Sequence, residues 1–283
     1  MGRKMSRRFV AGETVEDALT AASELNSKGI SVSVDNLGEF VTNAEESRES
    51  AQLYHNVVDE ISKRKLNANV SLKLTHMGLD VDERMCKELV CGLVQHAKQI
   101  GNFVRVDMEN SPYTQRTLDF VYQLHGEAPG AVGAVLQSYM RRTEQDAREL
   151  CSQGIRIRLC KGAYKEPEDV AFQAKSEVDA NYVKVAKYIM RSGVYHGIAT
   201  HDERIINELI IYAKSERIPP DAFEFQMLHG VRRDLQQSLV KQGWRMRVYV
   251  PFGTEWYPYL MRRLAERPAN ALFIAKNVLR ARG

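Results

Sequence analysis

The stretch Ile155-Arg-Ile-Arg-Leu-Cys160 runs without a break into Lys161-Gly-Ala-Tyr164. Its first six residues alternate apolar and polar side chains and read as a β-strand. Gly162 and Ala163 then let the chain turn tightly and bring backbone amides close to a ligand. A charged, amphipathic segment follows over 167–192, long enough for a helical crossover. The same unit recurs along the chain. Short apolar or β-branched runs lie at 30–37, 69–75, 103–108, 131–138, 155–160, 197–200, 223–228 and 245–250. Helical patterns lie between them at 44–64, 81–100, 143–153, 167–192 and 232–241. Strand alternating with helix predicts a parallel sheet, and eight such units in 283 residues predict a (βα)8 barrel of TIM type. A doubly wound sheet is the other arrangement of this pattern. The chain holds neither G-x-G-x-x-G nor G-x-x-x-x-G-K-[ST], which favours the barrel.

Composition agrees with one globular domain. The chain is 44% hydrophobic and 27% charged, with 40 Lys and Arg against 36 Asp and Glu, a net charge of +4. That excess is too small to argue nucleic-acid binding. It is partly local, since Arg3, Lys4, Arg7 and Arg8 crowd a basic tail over 1–8, leaving 9–283 for the barrel. No apolar run approaches the roughly 20 residues of a membrane span, and the N-terminus lacks the apolar stretch of a signal peptide. Cys86, Cys91, Cys151 and Cys160 show no C-x-x-C spacing, so reduced thiols and a cytoplasmic setting are expected, with no metal site.

Charge inside a barrel strand is the informative exception, because strands covered on both faces are otherwise apolar. Lys73 lies in Val-Ser-Leu-Lys-Leu-Thr, Asp107 in Val-Arg-Val-Asp-Met-Glu, and Arg156 and Arg158 in the opening stretch. Burying a charge without a partner costs several kcal/mol, so these groups must meet one another, a ligand or solvent. All but Arg156 sit near the C-terminal ends of their runs, where barrel active sites form. Near the C-terminus, Tyr249-Val-Pro-Phe-Gly-Thr254 precedes Tyr259-Leu-Met-Arg-Arg-Leu-Ala-Glu266. On a helix Tyr259, Arg262, Arg263 and Glu266 share one face, and paired guanidinium groups suit a carboxylate.

Taken in order, these blocks resemble the flavin-dependent proline dehydrogenases, in particular their short monofunctional bacterial form. The resemblance runs from about residue 8 to about residue 277. It also rests on Asp35-Asn-Leu-Gly-Glu39, Ser71-Leu-Lys73-Leu, Leu136-Gln137-Ser-Tyr139, Ala199-Thr-His201 and Glu224-Phe-Gln-Met-Leu-His-Gly230. It implies a distorted (βα)8 barrel with the last helix over the barrel mouth. It further implies oxidation of L-proline to Δ1-pyrroline-5-carboxylate, with FAD as cofactor and a membrane quinone as electron acceptor. Lys73, Arg262 and Arg263 would pair with the substrate carboxylate. Tyr249 and Tyr259 would enclose the ring, with Leu228 on its apolar side. Asp107 and Arg158 would be the catalytic pair, Arg158 lying beside the flavin. Met108, Gln137, Lys161, Gly162, Ala163, Tyr164, Thr200, His201 and Gln226 would contact FAD, and Glu39 would gate the site. A chain of 283 residues holds no second dehydrogenase domain, so a separate pyrroline-carboxylate dehydrogenase would consume the product. Quinone reduction implies peripheral membrane contact, for which the basic-ended amphipathic segment 271–282 is a candidate.

Two other activities fit parts of the pattern. A hydroxyproline or other cyclic-amine dehydrogenase would keep the same frame, although relatives preferring hydroxyproline tend to carry a smaller residue than Tyr249. A Schiff-base aldolase would use Lys73 or Lys161 without a cofactor. It needs a desolvated lysine of lowered pKa rather than basic groups converging on an anion.

Overall fold

The computed structural model describes residues 8–265. Arg3, Lys4 and Arg7, the side chain of Arg262, Glu266 and the segment 271–282 lie outside the described residues.

Eight parallel strands close into a barrel in chain order. They are β1 (Ser31–Asn36), β2 (Ala68–Leu72), β3 (Val104–Val106), β4 (Val132–Gln137), β5 (Arg156–Cys160), β6 (His196–Ala199), β7 (Phe223–Leu228) and β8 (Met246–Phe252). The helices are α1 (Val15–Asn26), α2 (Ala44–Lys63), α3 (Glu83–Gln99), α4 (Ser111–Glu127), α5 (Thr143–Ser152), α6 (Lys175–Met190), α7 (Glu203–Ser215), α8 (Arg233–Lys241) and α9 (Trp256–Ala265). Short polar side chains start several of them. Thr14 and Asp17 form a reciprocal capping box on α1, while Asn43, Asp82 and Asp202 accept backbone N–H bonds at the starts of α2, α3 and α7. The strand 103–108 of the sequence reading is shorter, ending at Val106, which leaves Asp107 just past the end of β3. The long helix over 167–192 begins only at Lys175, because Ala171 pairs with Met140 as an isolated bridge first.

Each strand presents apolar residues outward to the helices. Val34, Leu72, Val106, Ile157, Leu159 and Val248 are all buried there in one continuous core. Two helices depart from the simple repeat. α1, not singled out in the sequence, packs against β1 and β8. α9 follows β8 to the mouth, where Tyr259 and Leu260 join Phe9, Val10 and Leu37 in a separate cluster, with Val231 and Trp256 at its border. Leu37 follows β1 and Val231 follows β7, so the last helix reaches the C-terminal end of the barrel, as the resemblance implies. Among the described residues no helix is long and apolar enough to cross a membrane.

Candidate active site

Alternation along the strands turns the remaining side chains into the lumen, and these are largely polar. Arg158 decides how they are arranged. Its Nε donates to Gln226 Oε1 (2.6 Å), its Nη1 to Asp107 Oδ1 (2.7 Å) and Ser71 Oγ (3.0 Å), and its Nη2 to Ser33 Oγ (3.0 Å). A side chain from β5 that reaches β1, β2, the end of β3 and β7 must cross the lumen. The Tyr249 ring lies against the guanidinium, 5.2 Å from its carbon, and the Tyr249 hydroxyl donates to Asp107 Oδ2 (3.0 Å). Asp107 is thus held on both oxygens, and Ser71 also donates to its Oδ1 (2.7 Å).

Beside this pair stands a second. Lys73 Nζ lies 3.6 Å from Asp35 Oδ2, and both residues are buried. Burial pushes the Asp35 carboxyl up to about 6 and the nearby Asp107 adds to the rise, while Lys73 and hydrogen bonds from Tyr249 and Tyr54 pull it down. Burial works against the Lys73 cation, but Asp35, Asp107, Glu39 and Tyr164 outweigh it and hold Lys73 charged above its ordinary range. That is the opposite of what a Schiff-base lysine requires. Burial also raises the Tyr249 hydroxyl well above its ordinary value, with Asp107 and Asp35 adding to it, so it remains a proton donor. The mouth therefore holds two cations and two carboxylates, with Tyr249 bonding across them.

On the β4–β7 side lie the residues expected to meet a cofactor. Gln137 is buried, and its Oε1 has no hydrogen-bond partner. Met108 is buried nearby in sequence, past the end of β3. Gly162 has φ +117°, and a Cβ there would fall 2.4 Å from the Tyr139 ring, so only glycine fits the turn after β5. Ala163 is exposed and Tyr164 half-buried beside it. Thr200 donates its N–H to the Gln226 carbonyl (3.2 Å), and the Leu228 N–H donates to His201 Nε2 (3.0 Å), which fixes that imidazole as an acceptor on this nitrogen. Lys161, expected to contact the cofactor, has its ammonium between two carboxylates. Its Nζ lies 2.5 Å from Asp179 Oδ1 and 3.2 Å from Asp202 Oδ2, so it ties the loop after β5 to α6 and α7.

Glu39 is half-buried in the loop after β1 and acts electrostatically on Lys73. Tyr259 is buried on α9, with the Arg263 guanidinium 5.3 Å over its ring, so these two do share a face. Arg156 stands apart from the site. Its guanidinium stacks on Phe103 (5.1 Å) and Tyr195 (5.8 Å), which precede β3 and β6 and so mark the opposite end of the barrel. Sequence reasoning missed Ser33, Glu224 and Arg247, which hold Arg158 and its partners in place, and Asp179 and Asp202, which hold Lys161. Ser33 shares the inward parity of Asp35, and Glu224 that of Gln226, which was the available signal. Among the described residues no group of three or more His, Cys, Asp or Glu is placed to hold a metal ion.

Comparison with known proteins fits this geometry. A family model described as proline dehydrogenase matches residues 18–276. Proline dehydrogenase 2 of Bacillus subtilis (strain 168) is 43% identical over 276 residues, covering 98% of this chain and 91% of that protein. The proline dehydrogenase of Deinococcus radiodurans is 39% identical over 280 residues, covering 98% and 90%. Among solved structures, proline utilization A (PutA) from Bdellovibrio bacteriovorus inactivated by N-propargylglycine superimposes with a TM-score of 0.86 at 27% identity, over 92% of this chain. This chain spans only 32% of that larger one. With a lumen built around Arg158, Asp107 and Lys73 and near-full-length similarity to these enzymes, the chain belongs to the proline dehydrogenase family of oxidoreductases.

Proposed function

We propose that this chain oxidises L-proline to Δ1-pyrroline-5-carboxylate with FAD as its cofactor, and that the electrons pass on to a membrane quinone. The observation that carries this reading is the buried Arg158–Asp107 ion pair with Tyr249 against it at the C-terminal mouth, beside the Lys73–Asp35 pair. The local charges there nearly cancel, so a bound carboxylate needs further cations. Arg262 and Arg263 would supply them, together with the remaining Lys73 donors. Tyr249 and Tyr259 would close over the ring, with Leu228 on its apolar side and Glu39 gating entry.

The residues present fit FAD. The Gln137 Oε1 is buried with no hydrogen-bond partner, so it is free to accept from a bound group. Met108, Gln137, Lys161, Gly162, Ala163, Tyr164, Thr200, His201 and Gln226 would hold the cofactor. When bound, FAD supplies a two-electron acceptor for the hydride of the carbon beside the ring nitrogen. This chain's own residues do the rest. The cationic groups orient the substrate by its carboxylate, which converts a chance encounter into a fixed approach. The tyrosines exclude water. Arg158, rigidly held on four partners, offers a preorganised positive charge at the mouth without reorganising during the reaction.

The product would pass to a separate pyrroline-carboxylate dehydrogenase. A cytoplasmic protein touching the membrane peripherally would suit the quinone. The test is an absorption spectrum of the purified protein, followed by anaerobic addition of L-proline. Flavin bands that bleach with proline are the expected outcome. Bands that persist with proline but bleach with hydroxyproline would move the substrate to that class. Absence of flavin together with failure to bind added FAD would overturn the proposal.

A further inference from the structure

Gln226 is the partner of Arg158 with two possible senses. An amide side chain can present either its oxygen or its NH2 to a neighbour, and the wrong sense here would set donor against donor at Arg158 Nε. Two features of this chain settle the sense. Glu224, two residues earlier on β7 and pointing into the same lumen, accepts from Gln226 Nε2 at 2.6 Å through Oε1. A carboxylate can only accept, so the NH2 must face Glu224 and the oxygen must face Arg158. Glu224 is itself anchored, since Arg247 Nε donates to the same Oε1 (2.6 Å) and the Tyr195 hydroxyl to Oε2 (2.9 Å). Arg247 in turn donates to the Val32 carbonyl (2.6 Å) and Asn69 Oδ1 (2.9 Å). The second feature is on the neighbouring strand. At Gly197 of β6 an added Cβ would lie 2.2 Å from Gln226 Nε2 and 2.6 Å from its Cδ. The amide is bonded at 2.6 Å on both ends, so it could yield to such a Cβ only by breaking those bonds.

We propose that Glu224 and Gly197 are positioning residues for the oxidation, fixing the Gln226 amide with its oxygen on Arg158 Nε and through it the orientation of the Arg158 guanidinium. Glu224 touches neither substrate nor cofactor in this account. It acts as the base of a relay that runs Arg247, Glu224, Gln226, Arg158, Asp107. The inference rests on the flavoenzyme reading above, in which the guanidinium charge serves the reaction.

The test is a double-mutant cycle on the FAD-loaded enzyme, with Glu224→Gln, Gln226→Met and the pair, reading kcat, KM for L-proline and the flavin reduction potential. Glu224→Gln keeps shape and an acceptor but lets the amide take either sense. It should lower kcat about tenfold with KM little changed and make the flavin harder to reduce. Gln226→Met should cost more, about a hundredfold in kcat. If Glu224 acts through Gln226, adding Glu224→Gln to Gln226→Met changes kcat and potential by less than about twofold and by nothing measurable, respectively. Independent multiplication of the two losses, or a Glu224→Gln enzyme with wild-type kcat and potential, overturns the proposal. Gly197→Ala provides a second arm if Glu224→Gln does not fold. It should lower kcat at least tenfold, whereas in a Gln226→Ala background, where the side chain it would strike is gone, the same change should cost less than about twofold. An unaltered Gly197→Ala enzyme, or an equal loss from Gly197→Ala in the Gln226→Ala background, overturns the Gly197 part. Wild-type enzyme that does not bleach with L-proline would instead defeat the flavoenzyme reading, independently of the cycle.

Discussion

On β5, Ile157 and Leu159 face outward and are fully buried in the core beneath the helices, whereas Arg158 between them faces inward and bonds to side chains from four other strands or strand ends. The outer wall is held by apolar burial, which is non-directional and tolerates conservative exchange. The lumen is held by charge and hydrogen bonding, where each group depends on particular partners and an orphaned one costs several kcal/mol. The two faces of one strand thus obey different physics, and substitutions should separate stability from activity along that line.

Arg158→Met tests the lumen most severely. It removes the charge from the mouth and leaves Asp107 with Tyr249 and Ser71 alone, so kcat/KM should fall by about a thousandfold or more. A folded Arg158→Met enzyme within tenfold of wild type would mean that the lumen charges are only structural. The outer wall gives the reverse pattern. Leu159→Ala should cost about 2–5 kcal/mol in denaturant unfolding, while kcat of the folded fraction stays within about twofold. A large loss of kcat there would erase the distinction between the faces.

The faces should also titrate with opposite sign. Asp35 in the lumen has its carboxyl raised from 3.8 to about 6, mainly by burial. Its folded form holds the proton more tightly, so its stabilisation is complete below about pH 4 and is lost as pH rises through 6. The difference between wild type and Asp35→Asn should therefore shrink by roughly 2–3 kcal/mol between pH 4 and 7. On the outer wall His196 is fully buried, accepts the Ile157 N–H at Nδ1 (2.9 Å), and is lowered from 6.5 to about 3 by burial, with Arg105 and Arg156 contributing. Its stabilisation is present above pH 6.5 and is lost as pH falls toward 3. By about pH 5 wild type should lose roughly 2 kcal/mol relative to His196→Asn, which keeps an acceptor without titrating. Parallel pH curves for either pair would show that the buried group does not titrate as its surroundings require. The smallest effect is expected for Tyr249→Phe. It deletes the bond to Asp107 but keeps the ring against Arg158, so kcat/KM should fall by about three- to tenfold.

Much of this organisation was legible before the structure. The eight runs at 30–37 through 245–250 each overlap an observed strand, and Arg158 and Lys73 stood out because charge interrupts an apolar run. Asp107 was legible for the same reason, although β2 stops one residue short of Lys73 and β3 one short of Asp107. Helix α1 escaped attention despite its Thr14 and Asp17 capping box, because a helix before the first strand is not required by the repeat. The pairing of Lys161 with Asp179 and Asp202 also escaped, since those carboxylates lie on α6 and just before α7 and meet only when the helices dock. Arg156 shows the limit from the other side. It sits two residues from Arg158 with the same inward parity, yet it belongs to the opposite end of the barrel.

The sequence by itself determined the alternation of strand and helix, the apolar outer face and the placing of Lys73, Asp107 and Arg158 as charges of the lumen, because these depend on local periodicity and on the cost of burying charge. Only the tertiary structure decided who meets whom. The partners of Arg158 lie 51 to 125 positions away in the chain. Their contact is set by the register in which eight strands close, and by which of two amide senses Glu224 imposes on Gln226. No local pattern encodes those choices, since they exist only once the barrel has closed and the lumen has excluded the water that would otherwise satisfy every one of these groups.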